Sequence, residues 1–444
     1  MLNGERLTGT GRSKLTAALA LAFLGAVTSV SGTSAQSAVP KPGASVFTTD
    51  IAPILQAKCE ACHRAGSSAP MSLRTYEETR PWARSIKARV SRREMPPWHI
   101  DKTVGIQHFK NDISLSDQQI EKIVSWIDAG APRGDPNDMP PAREWGNGEQ
   151  WNIGEPDLVV MSPKRVVPAH GPDWWGDLEV DPQLTEDRWI QAIETKPVGV
   201  ARRVVHHAGT TLIQPDGARE SLSEFAVGKY GDIYPEGAGR LLRAGSKISF
   251  GVHFHSVGEE LPVVIEVGYK LYPRGYVPKH KVTEVNVGVI NGHLFDDLDI
   301  PANSVTRHEA FAKLEKAARI ISYQPHMHIR GKAMTMDAIY PNGQAQTLSS
   351  VDRFDFNWHV AYVYDDDYAP LLPAGTILHT VGIHDNTAAN RLNPDPNQWV
   401  GFGNRTFDDM LQCHVLLYYM DDAEYQQQVA ERQAKKKSQT TQNQ

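Results

Sequence analysis

Apolar and polar positions change their rhythm once along this chain. From Phe47 to about Gly134 the apolar residues follow helical spacing. Ile51-Ala-Pro-Ile54-Leu55 leads into a cysteine pair. Ser116 caps a stretch in which Ile120, Ile123, Val124 and Ile127 share one face, and Gly130 ends it. Ala131–Gln150, rich in Pro, Gly and Asn, reads as an interdomain linker. From about Gly154 short alternating or β-branched runs take over, among them Leu158–Met161, Leu261–Val267 and His414–Tyr419, with turn residues between them. The pattern predicts a small all-α domain at 47–134, a linker at 135–154, and an all-β, sandwich-like region at 155–422. The polar residues 423–444 are helix-like at first and then rich in Lys, Gln and Thr, so a frayed or disordered tail is expected.

Length and charge narrow the class. A chain of 444 residues holds two or three domains, and its net charge of −6 is spread out. Lys435–Lys437 is its one concentrated basic run, so a nucleic-acid surface is not expected. Arg6, Arg12 and Lys14 precede an apolar stretch from Leu15 to about Val30, and Thr33-Ser34-Ala35 resembles a cleavage site. This predicts a signal peptide at 1–35, a short linker at 36–46, and export to the periplasm. The apolar stretch, about 16 residues, is short for a stable membrane span, although an uncleaved anchor is the alternative. Three cysteines rule out a disulfide scaffold.

Two of those cysteines stand in Cys59-Glu-Ala-Cys62-His63. In an exported chain this pattern marks covalent haem c attachment, with His63 as the proximal iron ligand. A redox disulfide would call for a thioredoxin-like βαβ pattern, and zinc for two more nearby ligands. Met95, in Glu-Met95-Pro-Pro-Trp98-His99, is the expected distal ligand. Met71 is the alternative, and His99 or His108 would give a bis-histidine haem. Cys413 is left alone and reads as a buried core thiol.

The β region carries clustered histidines: His206-His207, His253-Phe-His255 and His326-Met-His328, followed by Met410. Residues i and i+2 of a strand face the same way, so each HxH pair can reach one metal ion. Adjacent His206 and His207 would point apart unless a twist or bulge intervenes. Imidazoles together with a thioether favour copper over zinc. Trp174-Trp175 could line a pocket or fill a core.

Val-Val-His206-His207-Ala-Gly, Gly-Val-His253-Phe-His255, His326-Met-His328-Ile-Arg-Gly-Lys332 and Thr406-Phe-Asp408-Asp409-Met410 stand in an order that resembles the copper type II, ascorbate-dependent monooxygenases. That family includes dopamine β-monooxygenase and peptidylglycine α-hydroxylating monooxygenase. Asp355-Phe-Asn-Trp358, Pro373-Ala-Gly-Thr376, His384-Asp-Asn386 and Asn393-Pro-Asp-Pro396 support the resemblance, which covers about 155–425. It implies two jelly-roll-like sandwiches, at 155–290 and 291–422, and two copper centres. His206, His207 and His253 would hold an electron-storing copper. His326, His328 and Met410 would hold the copper that meets oxygen and substrate, which makes them the catalytic set. His255 is not required by that scheme.

Three departures stand out. The disulfides of the animal enzymes have no counterpart, His414 stands where animal members usually have tyrosine, and Gln324 stands where the peptide-amidating branch has a carboxylate-gripping arginine. The expected function is therefore O2-dependent hydroxylation of a C–H bond in an unknown small organic substrate. One haem c would relay electrons from a periplasmic donor or an ascorbate-like reductant to two coppers. The alternatives are an electron-transfer or copper-handling protein, and an oxidase that reduces oxygen without inserting it.

Overall fold

The structure is a computed structural model, which describes residues 45–65, 67, 69–144, 151–229, 231–289 and 298–442. The expected signal peptide lies outside the described residues, as do residues 145–150 of the 135–154 linker and residues 290–297 around the 290/291 boundary. The described chain is mostly β, in several packed sheets.

The N-terminal region is helical, with helices at Ala52–Lys58, Tyr76–Thr79, Ala83–Ser91 and Asp117–Asp128. The last begins in the expected place: Ser116 accepts from Gln119 N–H while the Gln119 side chain accepts from Ser116 N–H, a reciprocal cap. Phe47, Ile51, Leu55, Ile86, Val90, Ile123 and Trp126 form the core of this region. The helical pattern does not hold throughout 47–134, however. After Ser91 the chain leaves this core, and Trp98, Ile100 and Phe109 are buried among residues of the C-terminal β region. Isolated bridges join Ile100 to Val351 and Phe109 to Tyr364. Helical propensity is low across Met95-Pro-Pro-Trp98, where two prolines remove backbone donors.

Among the described residues the largest sheet has ten strands and runs through both halves of the β region. Eight of them follow one path, Leu158–Met161, Ile265–Leu271, Arg188–Pro197, Ala238–Leu242, His280–Asn286, Gln412–Met420, Ala317–His326 and Tyr362–Val363, while Asp232–Ile233 and Leu371–Leu372 pair from the side. A four-stranded sheet packs against each half. The first is Trp174–Val180, Lys247–Phe254, Val205–Ile213 and Arg219–Ala226, and the second is Val305–Lys313, Ile377–Asp385, Gly331–Ile339 and Ala345–Val351. The apolar run His414–Tyr419 has a clear cause in this arrangement. Cys413, Val415 and Leu417 belong to one core, while Leu416, Tyr418 and Met420 belong to the other. A strand buried on both faces has no polar face to alternate with.

In the described residues the C-terminal tail is helical beyond its expected helix-like start. Asp422–Gln442 is one helix. Tyr425 packs on the first β core, Arg432 donates to the Ala369 carbonyl at 2.6 Å, and Lys435 pairs with Asp367. These anchors supply what the polar sequence lacks in apolar periodicity. No described helix is long and apolar enough to cross a membrane.

Candidate metal centre

His207 lies directly opposite His253 in the pairing of Val205–Ile213 with Lys247–Phe254. The register shifts between Val205 and His207, so His206 occupies a β-bulge. The bulge solves the problem of adjacent histidines by turning His206 onto the same side as His207. The three rings stand 5.2–5.8 Å apart, and one nitrogen from each lies within 4.8 Å of the others. His206 Nδ1 is buried without a hydrogen-bond partner. His253 Nε2 lies 2.8 Å from Asp173 Oδ2, and its ring stacks on Trp175 at 4.2 Å. An imidazole tied by one nitrogen to a carboxylate offers the other to a metal. Trp175 thus belongs to the site, whereas its neighbour Trp174 stacks on Phe254 and packs on the first β core.

His326 ends the Ala317–His326 strand, where it pairs with Gln412. Met327 between the two histidines is fully buried in the second β core. His328 N–H donates to Asp409 Oδ1 at 2.9 Å, and its Nδ1 lies 3.2 Å from the Asp408 carbonyl, which leaves Nε2 free. The same Asp409 oxygen accepts Met410 N–H at 2.9 Å. His384 lies beneath this turn, with its Nε2 3.1 Å from the Met410 carbonyl. Arg330 donates to Asn386 Oδ1 at 2.8 Å.

The two histidine groups converge. One small cavity, about 10 Å³, is lined by His206, His207, His253, His326, His328 and His359, together with Glu224, Phe356, Asn404 and Thr406. Phe356 stacks on His206 at 5.0 Å and meets His328 edge-on at 5.8 Å. Met410 is nearly buried and does not line this cavity, although the loop leading to it does. His255 follows the strand end and does not line it either, so the His253–His255 pair divides where the strand stops.

Electrostatics favour neutral rings. Burial, then His207 and His255, push His206 down to about 4, and burial pushes His207 to about 4. Burial lowers His253 against the opposing pull of Asp173. His326 falls well below the ordinary imidazole range through burial and its histidine neighbours. Neutral imidazole is the form that binds metal, so this donor set fits copper ions. Burial opposes ionisation of Glu224, but Lys229 and the surrounding histidines outweigh it and hold its pKa below the carboxylate range. Gln324 donates to this carboxylate. His414 is raised despite its burial, because Glu284 accepts from its Nδ1 at 2.9 Å.

At the N-terminal motif, Cys59 and Cys62 stand beside the end of Ala52–Lys58 as thiols, with no disulfide between them. Burial pushes the Cys59 thiol up to about 12. His63 Nδ1 lies 3.2 Å from the Met71 carbonyl, an arrangement that orients the ring and leaves Nε2 for iron. These residues fit a covalent haem. Met95 lines a surface groove with Trp98, Ile120 and Arg353. His99 is buried, its N–H donating to the Tyr362 hydroxyl at 3.3 Å, and His108 stacks on Tyr368 at 3.6 Å. Both alternatives to Met95 on this segment are therefore engaged with the β region. Cys413 is a core thiol as expected, 4.0 Å from Met336 Sδ.

His359, Phe356, Asp173 and Glu224 had no sequence signal of their own. Each is a single residue outside a repeated motif, brought to the cavity by the sheets. The supporting segment Asp355-Phe-Asn-Trp358 was the one available pointer to the first two.

No family model and no curated protein matches the chain. Structural comparison aligns it with the major capsid protein P2 of bacteriophage PM2, at 10% identity over 59% of this chain and 97% of that one, with a TM-score of 0.29. It also aligns with a peptide-N(4)-(N-acetyl-β-D-glucosaminyl) asparagine amidase, at 12% identity over 59% and 96%, with a TM-score of 0.26. A third alignment, to the infectious bursal disease virus VP2 subviral particle, has 8% identity over 61% and 76%, with a TM-score of 0.18. Alignments this loose carry no argument about fold family or function.

Proposed function

We propose that this protein is an exported haem c–copper oxidoreductase, an O2-dependent monooxygenase that hydroxylates a C–H bond of a small organic molecule. The helical region would be a cytochrome c domain, and the β region a pair of jelly-roll-like copper sandwiches. The observation that carries the reading is the convergence of His206, His207 and His253 with His326 and His328 on one small cavity. Copper held by these imidazoles would supply the one-electron chemistry that oxygen needs to react with a C–H bond. Haem joined to Cys59 and Cys62 would supply single electrons.

The protein's own residues have definable tasks. Asp173 and the Asp408 carbonyl fix the tautomers and directions of His253 and His328. Phe356 and Trp175 cover the rings and keep bulk water away. Trp98 lies 4.8 Å from Tyr362, and Tyr362 lies 6.0 Å from Tyr323, on the strand that ends at His326. This aromatic series supports a link between the segment after Met95 and the histidine cavity.

The size of the cavity favours a second reading. A volume of about 10 Å³ between the rings is close to that of one water, so an organic substrate would have to sit beside the rings and not among them. An oxidase that reduces oxygen without inserting it needs no more. A larger groove of about 860 Å³, lined by Arg330, Trp399, Phe402, Phe407 and Asp408, lies across the loop that carries Asn404 and Thr406. The monooxygenase reading requires this loop to admit substrate.

Metal analysis of haem-matured protein tests the common part of both readings, with two coppers and one iron per chain expected. Iron without copper after Cu(I) loading would overturn them. Isotope from labelled oxygen then separates them, since it enters an organic product in a monooxygenase and only water in an oxidase.

A further inference from the structure

His359 stands between Ala345–Val351 and Tyr362–Val363, in the second half of the β region. Its backbone nevertheless belongs to a junction with the first half. His359 N–H donates to the Val227 carbonyl at 3.1 Å, just past the Arg219–Ala226 strand. Upstream, the segment is tied down by Phe354 N–H on the Lys332 carbonyl at 2.7 Å. Downstream, the Ala361 carbonyl accepts from Asn111 at 2.8 Å. The ring is therefore positioned from three directions.

That ring lines the histidine cavity, and its residue is 6% exposed. Its Nδ1 lies 3.2 Å from His326 Nδ1, with the rings 4.6 Å apart. Its Nε2 is buried and has no hydrogen-bond partner. Two imidazole nitrogens bound to one tetrahedral ion at about 2.0 Å stand about 3.3 Å apart, and the His326–His359 separation is already close to this. His328 has its Nδ1 turned to the Asp408 carbonyl, lines the same cavity, and has its ring 5.7 Å from that of His326. Met410 does not line the cavity.

We propose that His359 is a third imidazole ligand of the His326–His328 copper site. This rests on the copper reading above. It changes the expected chemistry, because three nitrogens suit Cu(II) better than two nitrogens and a thioether. The site would then resemble its three-histidine neighbour more closely than the His326/His328/Met410 set implies.

The test uses the full-length, haem-matured chain carrying H206A and H207A, which leaves one copper. Pulsed electron paramagnetic resonance of the Cu(II) form counts coordinated imidazoles through their remote nitrogens. Three are expected in this parent, and two after adding H359Q or, separately, the volume-filling H359F. Competition with a chromophoric chelator should show affinity lower by about tenfold or more in both. Two imidazoles in the parent, or three retained in either variant, overturns the proposal. If unmodified protein takes up no copper at all, the copper reading fails first, a distinct result. Haem absorbance and circular dichroism of each variant identify any that fails to fold, and the parent count alone then decides.

Discussion

Asp409 Oδ1 accepts the main-chain N–H of His328 at 2.9 Å, inside a protein interior that leaves both residues almost no exposure. The same oxygen takes Met410 N–H at 2.9 Å, and Oδ2 takes Arg330 N–H at 3.1 Å. One carboxylate therefore fixes the backbone at both places where the catalytic set is expected. Asp409→Asn replaces an acceptor oxygen with an amide that faces N–H donors. It should cost about 2–4 kcal/mol, since buried hydrogen bonds to charged groups are strong and an unmatched donor adds a penalty. Urea unfolding of the copper-free chain measures this. A midpoint within error of the unmodified protein would remove Asp409 from the account.

Asp173 touches the proposed three-histidine copper site through a single bond, 2.8 Å from His253 Nε2, and its own side chain is partly exposed. Asp173→Ala should therefore leave stability nearly unchanged and weaken copper at the three-histidine site by about 10- to 100-fold. Metal titration with two resolved affinities reads the effect. Equal loss at both sites would mean that Asp173 shapes the cavity and does not orient His253.

The sequence discloses the parts of this site whose chemistry is local. The histidine pairs are short motifs in which two donors lie close in sequence, and CxxCH places two attachment thiols and one iron ligand within five residues. Strand geometry accounts for neither HxH pair, because the strands stop at His326 and at Phe254. His326 and His328 share the cavity with Met327 buried in a core between them, whereas His255 does not join His253 there. The bulge that makes His206 and His207 compatible is a property of pairing, set by the partner strand 40 residues or more away. His359 is one histidine beside a tryptophan, and its relation to His326 depends on sheet packing. The shared sheet is hinted at by the apolar run His414–Tyr419, but the run does not say which strands flank it. Low-propensity segments mislead in the opposite sense. Residues 98–109 follow helices in sequence yet belong to a β core, and the polar tail forms a helix through a few anchored side chains.

Phe109 tests the attachment of the helical region. Its ring meets Trp98 at 5.7 Å, Tyr362 at 5.9 Å and Tyr364 at 5.2 Å. Phe109→Ala removes all three contacts and leaves a cavity, so it should destabilise by about 3–5 kcal/mol. The loss should fall on the 98–109 segment first, giving faster proteolysis there and slower electron transfer from haem to copper. Unchanged proteolysis together with unchanged thermal stability would show that this packing is dispensable.

The neutral histidines make a prediction about pH. In the copper-free chain His206 and His207 titrate near 4, while in the unfolded chain they return to the ordinary value of about 6.5. Between those values the unfolded chain binds more protons, so stability must fall as pH drops from about 6.5 toward 4. Each histidine contributes a limiting slope of about 1.4 kcal/mol per pH unit. His359, pushed to about 3 by burial, acts in the same direction. His414 acts in the opposite direction: its pKa is raised, so its contribution is complete below about 6.5 and lost as pH rises through its folded value. The depressed rings outnumber it, and the net effect should be a lower urea midpoint at pH 5 than at pH 7. Copper opposes the loss, since a ligand bound only by the folded chain adds about 2.7 kcal/mol at 100 times its dissociation constant. Loaded protein should therefore keep its midpoint to lower pH than copper-free protein. If the copper-free midpoint held steady or rose on going to pH 5, the histidines would not be neutral in the folded state, and the cavity would lose its claim to be ready for metal.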